Sequence, residues 1–117
     1  MKKFNNALFV GNYPTPNGYL GTETSGTTQN QFNQPFYLGI DSSNGHLFVA
    51  DYFNNRVLLF KNAQNKINSS NADVVFGQVD FTSSSIICNQ FTLYRPIEPY
   101  YDVGSDSLFS IDHCHYR

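Results

Sequence analysis

Three groups of residues in this chain carry the raw material of chemistry. Asp51 and Arg56 stand five positions apart, and the pair returns as Asp112 and Arg117. A carboxylate beside a guanidinium can serve a reaction, and it can equally clamp a turn by satisfying two charges at a strand end. His113, Cys114 and His115 follow one another, and alternation along an extended segment would send both imidazoles to one side. A closed zinc site takes about four ligands and a catalytic one about three plus water. The other soft donors, His46 and Cys88, are distant in sequence. Cys88 lies in the polar stretch 83–90 without a neighbouring base, and a nucleophilic thiolate needs an activating partner. Glycine-rich phosphate loops, Ser-His-Asp arrangements and paired catalytic carboxylates are not visible. The residues therefore read as structural. Asp51, Arg56, Asp112 and Arg117 are expected to clamp turns, and His113 and His115 are expected in a turn before they are expected on a metal. No catalytic residue and no cofactor is expected.

The elements that position these groups are strands. The 117 residues suffice for one ordinary domain. Hydrophobic residues make up 40% and charged ones 14%, so the polar share falls to Asn, Gln, Ser and Thr. Eleven Phe and eight Tyr supply bulk, interleaved with Asn, Gly and Ser turn formers, which favours strands and turns over helices. Residues 6–12, NALFVGN, suit a short buried strand, and residues 13–34 read as a long polar surface loop. Strands are then expected over 36–41, 46–51, 56–61 and 73–78. The Ser42-Ser43-Asn44-Gly45 hairpin turn takes its positive φ from Asn-Gly. The run Arg56 to Lys61 is continuously apolar inside, which implies burial on both faces.

The pattern repeats at an offset of 61: Pro35 with Pro96, Asp41 with Asp102, Leu47-Phe48 with Leu108-Phe109, Asp51 with Asp112, Arg56 with Arg117. Residues 8–11 echo 74–77 in the same way at offset 66. Four short antiparallel strands at fixed spacing are the signature of propeller blades, because each sheet has two apolar faces that only neighbours can cover. The expected fold is all-β: one complete blade over 35–81, an outer strand and long loop before it over 1–34, and a loop and the start of another blade over 82–117. About three or more repeats are usually needed for stability, so the chain reads as a fragment whose open sheet edges invite self-association.

Pro35, Gly39-Ile40-Asp41, Gly45-His46-Leu47-Phe48-Val49-Ala50-Asp51 and Asn54-Asn55-Arg56-Val57 together resemble the NHL repeat family of β-propellers. The segment Asp73-Val74-Val75-Phe76-Gly77-Gln78-Val79-Asp80-Phe81-Thr82 is similar to a stretch found between units in long-repeat members. The second unit departs from the pattern: Tyr100 stands for Gly39, Ser110-Ile111 for Val49-Ala50, and His115-Tyr116 for Asn54-Asn55.

The resemblance implies a non-catalytic protein–protein interaction scaffold, in some relatives the recognition part of a ubiquitin ligase. The alternative it implies is a fragment of a six-bladed lyase or hydrolase with a metal in the central channel, which needs histidines recurring on inner strands; His46 is replaced by Ser107. A net charge of −2 with seven scattered basic residues gives no electrostatic footprint for nucleic acid or an anionic membrane. The apolar run Ala7 to Val10 is too short for a secretory h-region of about 7–15 residues, so a cytoplasmic chain is expected and the sequon Asn68-Ser69-Ser70 would be idle. Cys88 and Cys114 are too few for a disulfide framework.

Overall fold

The structure, a computed structural model, describes Lys2, Lys3 and residues 18–114. The expected strand over 6–12 and the residues His115 and Arg117 lie outside that range. Among the described residues there are eight short strands: β1 (Lys2–Lys3), β2 (Gly18–Tyr19), β3 (Pro35–Asp41), β4 (His46–Asp51), β5 (Arg56–Phe60), β6 (Val74–Phe76), β7 (Ile97–Asp102) and β8 (Ser107–Ile111). The helical content of the described residues is two single 3-10 turns, Tyr52–Asn54 and Ala63–Asn65. β3, β4, β5 and β6 form an antiparallel sheet in sequence order, β7 and β8 pair as a hairpin, and β1 and β2 as a two-residue ribbon.

Turn chemistry sets the hairpins. The Asp41 carboxylate accepts from the Ser43 N–H at 3.0 Å and the Asn44 side-chain amide at 2.8 Å, and Gly45 follows at φ +69°. One repeat later the Asp102 carboxylate accepts from the Ser105 N–H at 3.0 Å, and Asp106 takes the left-handed position at φ +51°. Asp tolerates that region better than most side chains, so the second turn keeps its geometry without the glycine. The registers also repeat at 61: Asp41 faces His46 as Asp102 faces Ser107, and Gly39 faces Phe48 as Tyr100 faces Phe109. The fourth strand of the sheet, expected over 73–78, is only Val74–Phe76, because Gly77 at φ +87° leaves the extended region.

All five residues of β5 are buried, so both faces of the sheet are covered. On one face Val49, Leu58 and Phe60 pack with Leu20, Phe32 and Ala72. On the other, Phe48, Val57 and Leu59 pack with Phe76, Leu93, Tyr101 and Leu108. Leu20 and Phe32 belong to the segment expected as a solvated loop, and they are only 2% and 8% exposed. Residues 18–34 are therefore a cover. Their polar side chains serve that role, since Gln29 Nε2 donates to the Ala72 carbonyl at 2.8 Å and Asn30 Nδ2 to the Ser69 carbonyl at 3.0 Å.

Phe60 packs its ring 5.9 Å from that of Phe32 and is fully buried. Phe60→Ala should cost about 3–5 kcal/mol of stability. Gly45→Ala should cost only about 1–2 kcal/mol, since a side chain is disfavoured at its φ, while its Cβ would meet nothing nearer than 3.9 Å. Urea unfolding of the two variants measures both, and a larger loss for Gly45→Ala would contradict the placement of Phe60.

Candidate functional site

In an antiparallel meander the end of β4, the start of β5 and the end of β6 share one edge of the sheet. The turn 52–55 and the connections 18–34 and 77–96 meet there. Asp51 and Arg56 face each other across the turn as a register pair, and both side chains are fully buried. Arg56 Nε donates to Asp51 Oδ2 at 2.7 Å. Nη1 donates to the carbonyls of Thr27, at 3.0 Å, and Phe81. Nη2 donates to those of Thr28 and Gln31 at 3.0 and 2.9 Å. A guanidinium has five N–H groups, and all five are used. The site can therefore hold no phosphate or carboxylate ligand through Arg56.

The neighbouring amides complete the node. Asn54 Nδ2 donates to Asp51 Oδ2 at 2.9 Å and to the Gly26 carbonyl at 2.7 Å. Asn55, at φ +55°, donates from Nδ2 to the Ser84 carbonyl at 3.2 Å, and its Oδ1 accepts the Arg95 N–H at 3.0 Å. Gln78 donates to the Asn55 and Ser85 carbonyls at 2.8 and 3.0 Å and accepts the Ser85 N–H at 2.8 Å. Asp51 Oδ1 accepts the Asn33 N–H at 2.7 Å. Burial pushes the Asp51 carboxyl up, against the Asn33, Asn54 and Arg56 donors that favour its charged form.

The second set of expected residues is only partly in view. Asp112 Oδ1 accepts the Cys114 N–H at 3.1 Å. His113 donates its backbone N–H to the Tyr94 carbonyl at 2.8 Å, and its Nδ1 lies 2.9 Å from the Arg95 carbonyl. Cys88 and Cys114 form a disulfide with their Cα atoms 5.7 Å apart, inside the usual range. The two cysteines, too few for a disulfide framework, still form this single bond, and neither is a free thiol. The signal was positional: Cys114 is the counterpart of Phe53, which sits at the sheet edge where the 77–96 connection returns. Among the described residues, no group of three or more His, Cys, Asp and Glu is placed to hold a metal. His46 Nδ1 accepts the Asn62 N–H at 3.1 Å.

Over the buried node lies a surface that the sequence reading passed by. The Arg95 guanidinium carbon sits 5.8, 5.4 and 5.3 Å from the ring centres of Tyr52, Phe53 and Tyr94. Tyr52 also meets Phe36 at 5.3 Å and the His113 ring edge-on at 5.8 Å. Phe36, Phe53 and His113 are exposed. The available signal was the aromatic pair Tyr52-Phe53 in a turn and Tyr94-Arg95 ahead of a strand. A separate cleft of about 370 Å³ lies beside the β7–β8 hairpin, lined in part by His46, Lys61, Tyr101 and Asp106. Tyr101 donates its hydroxyl to Asp106, which with burial pushes the phenol up to about 12. A phenol held protonated in this way is a donor and no base.

Searches against protein-family models, curated proteins and solved structures return no match to this chain. Among the described residues no helix is long and apolar enough to cross a membrane.

Removing one partner of a buried ion pair costs about 3–5 kcal/mol. Arg56→Met should destabilise the chain by that amount. Arg56→Lys should recover little, because an ammonium has three donors on one atom and cannot span four carbonyls. Urea unfolding separates these outcomes, and a wild-type midpoint for Arg56→Lys would show that charge alone suffices.

Several carboxyls are held below the aspartate value of 3.8: Asp41 chiefly by the Asn44 amide, Asp80 by the Ser83 hydroxyl and N–H, and Asp102 by the Ser105 hydroxyl. A carboxyl whose folded value is depressed contributes stability above its unfolded value and loses it as pH falls through the folded one. The melting temperature should therefore drop below about pH 4, and Asp80→Asn should make that drop shallower. Melting curves from neutral to acidic pH measure it; a uniform shift at all pH values would count against the assignment.

Proposed function

We propose that this chain is a segment of an NHL-type β-propeller, and that it acts as a protein-binding scaffold through the sheet edge that carries Arg95. The observation that carries the reading is the cluster of Arg95 with Tyr52, Phe53 and Tyr94 above a rigid, fully bonded node. Tyr and Arg dominate the energetic centres of protein interfaces, where a pre-organised surface loses little entropy on binding. Support for the propeller architecture comes from the four-stranded meander covered on both faces and from hairpin registers that recur at 61. In such a scaffold the long connections carry recognition and the strands hold them. The role in a larger protein is the recognition part, of the kind that ubiquitin-ligase-like proteins use.

A random peptide library selected against the full chain tests this. Selected peptides should bind about tenfold or more weakly, the threshold of 1.4 kcal/mol, to Arg95→Ala and Tyr52→Ala. They should bind unchanged to Asn44→Ala and Lys61→Ala, which lie at the opposite end of the sheet. Binders indifferent to Arg95 and Tyr52 would overturn the placement. Elemental analysis of the purified protein tests the lyase or hydrolase alternative: stoichiometric zinc or calcium that His113→Ala removes would displace the scaffold reading.

A further inference from the structure

Asn68-Ser69-Ser70 is the single Asn-x-Ser/Thr sequon among the fourteen asparagines of the sequence. It lies in the connection 61–73 between β5 and β6, at the end of the sheet opposite the Arg56 node. Ser70 donates its N–H to the Ile67 carbonyl at 3.2 Å and Ser69 takes the left-handed region at φ +57°, so 67–70 is a tight turn with Asn68 at its corner. Ile67 is 79% exposed, and Asn68 is exposed beside it. Three bonds staple the turn to the 18–34 cover. Ser69 donates its N–H to the Tyr19 carbonyl at 3.2 Å and its hydroxyl to the Gly21 carbonyl at 3.0 Å, and its own carbonyl accepts Asn30 Nδ2 at 3.0 Å.

The Asn68 side chain adds a fourth bond and uses only its oxygen for it: Oδ1 accepts the Tyr19 N–H at 3.0 Å. Among the described residues nothing accepts from its Nδ2. Asn30, Asn54 and Asn55, by contrast, each donate Nδ2 to a main-chain carbonyl. A sugar on Asn68 therefore displaces no bond, and a glycosylated amide keeps the carbonyl oxygen that holds Tyr19. The second observation is the bond between Cys88 and Cys114, the only cysteines of the chain. Disulfides persist in oxidising compartments and are rare in the cytosol. N-glycosylated sequons belong to the surface loops of secreted proteins, which pass through such a compartment. The short run Ala7 to Val10 is the one sign against that route. The disulfide ties the 77–96 connection to the segment after β8, far along the chain from Asn68, so each observation stands without the other.

We propose that Asn68 is an N-glycosylation site and that the chain matures in the oxidising compartment where its disulfide forms. In the transfer, Asn68 Nδ2 bonds to the anomeric carbon of the first sugar of an oligosaccharide carried on a lipid diphosphate. The bond from that carbon to the phosphate oxygen breaks, the lipid diphosphate leaves, and the proton lost by Nδ2 goes to a base of the transferase. The Ser70 hydroxyl is the group two residues on that completes the sequon. In the folded turn it donates to the Ile67 carbonyl at 2.6 Å, so the transferase reads it before the turn closes. The disulfide arises by exchange: both thiols are oxidised with loss of their protons, and a disulfide oxidant is reduced to a dithiol. The inference goes beyond the scaffold reading and does not rest on it. Asn68 and Arg95 lie at opposite ends of the sheet, so the peptide selection can fail while Asn68 is glycosylated, and the reverse. With it, the scaffold's partner is met outside the cytosol, and the likeness to the ligases is one of role alone.

The full chain, expressed in eukaryotic cells behind a secretory leader, tests the site. Occupancy is read in total cell extract, so that a variant that misfolds still reports. Wild type and Ser70→Thr should carry a glycan that peptide N-glycosidase removes, leaving aspartate at position 68 by mass spectrometry. Asn68→Gln and Ser70→Ala should carry none. Protein from its native source should show the same modified residue and, without reduction, a cross-linked Cys88–Cys114 peptide. Glycosylated and enzymatically deglycosylated chains should melt together, since the sugar displaces no bond. Unmodified Asn68 in either source, a glycan that persists in Asn68→Gln, or free thiols at both cysteines of the native protein would overturn the proposal. A glycosylated chain that melts below the deglycosylated one would overturn the placement of Nδ2.

Discussion

A guanidinium removed from water must have each of its N–H groups answered, and Arg56 is answered by one carboxylate and four main-chain carbonyls. Those carbonyls come from two segments that are far apart in sequence, 27–31 and 81. Arg56 therefore fixes both connections relative to β5 at once. Asp51 balances the charge and orients the fork, while Asn54, Asn55 and Gln78 bind further main-chain groups of the same connections. A buried polar network is costly when partly satisfied and rigid when complete. Here it stands where three connections converge, and the aromatic surface around Arg95 is laid over it. The strands set the spacing of the sheet; this node sets where the connections go.

The sheet was legible because local signals agreed. Asn44-Gly45 turn chemistry, strand-length apolar runs and the left-handed Asn55 all point to the same hairpins, and β3, β4 and β5 fall within a residue of their expected bounds. The cover formed by residues 18–34 was not legible, and the reason is physical. Its polar composition suggested solvent, whereas Gln29, Asn30 and Asn54 use their amides to satisfy carbonyls that a helix or strand would have satisfied internally. Two apolar residues, Leu20 and Phe32, are enough to seat it on the sheet. The Cys88–Cys114 bond was hidden for a related reason, since a separation of 26 residues says nothing until the path of the 77–96 connection is known. The Asp51–Arg56 pairing was readable from spacing, but the four carbonyls around Arg56 depend on how distant segments pack.

The two units differ in ways that follow from their surroundings. Gly39 lies under the next hairpin and tolerates no side chain, while Tyr100, at the same register position, has open space before it. Val49 and Ala50 are buried in the sheet, whereas Ser110 is only partly covered and Ile111 is exposed. Gly45 becomes Asp106 without loss of the turn, because the left-handed position needs a tolerant residue and no close neighbour forbids a side chain there. What is retained at 61 residues is the turn carboxylate and the apolar face that reaches back to the preceding sheet; what varies is the face turned away from it.

The choice of main-chain carbonyls as the partners of Arg56 has a consequence for how this molecule can change. A carbonyl is the same whichever residue bears it, so the anchor grips Thr27, Thr28, Gln31 and Phe81 without reading their side chains. The connections can exchange one surface chemistry for another and still be gripped at the same points. Shape and content are thereby inherited separately: the node conserves where a connection runs, and mutation is left free to rewrite what it displays.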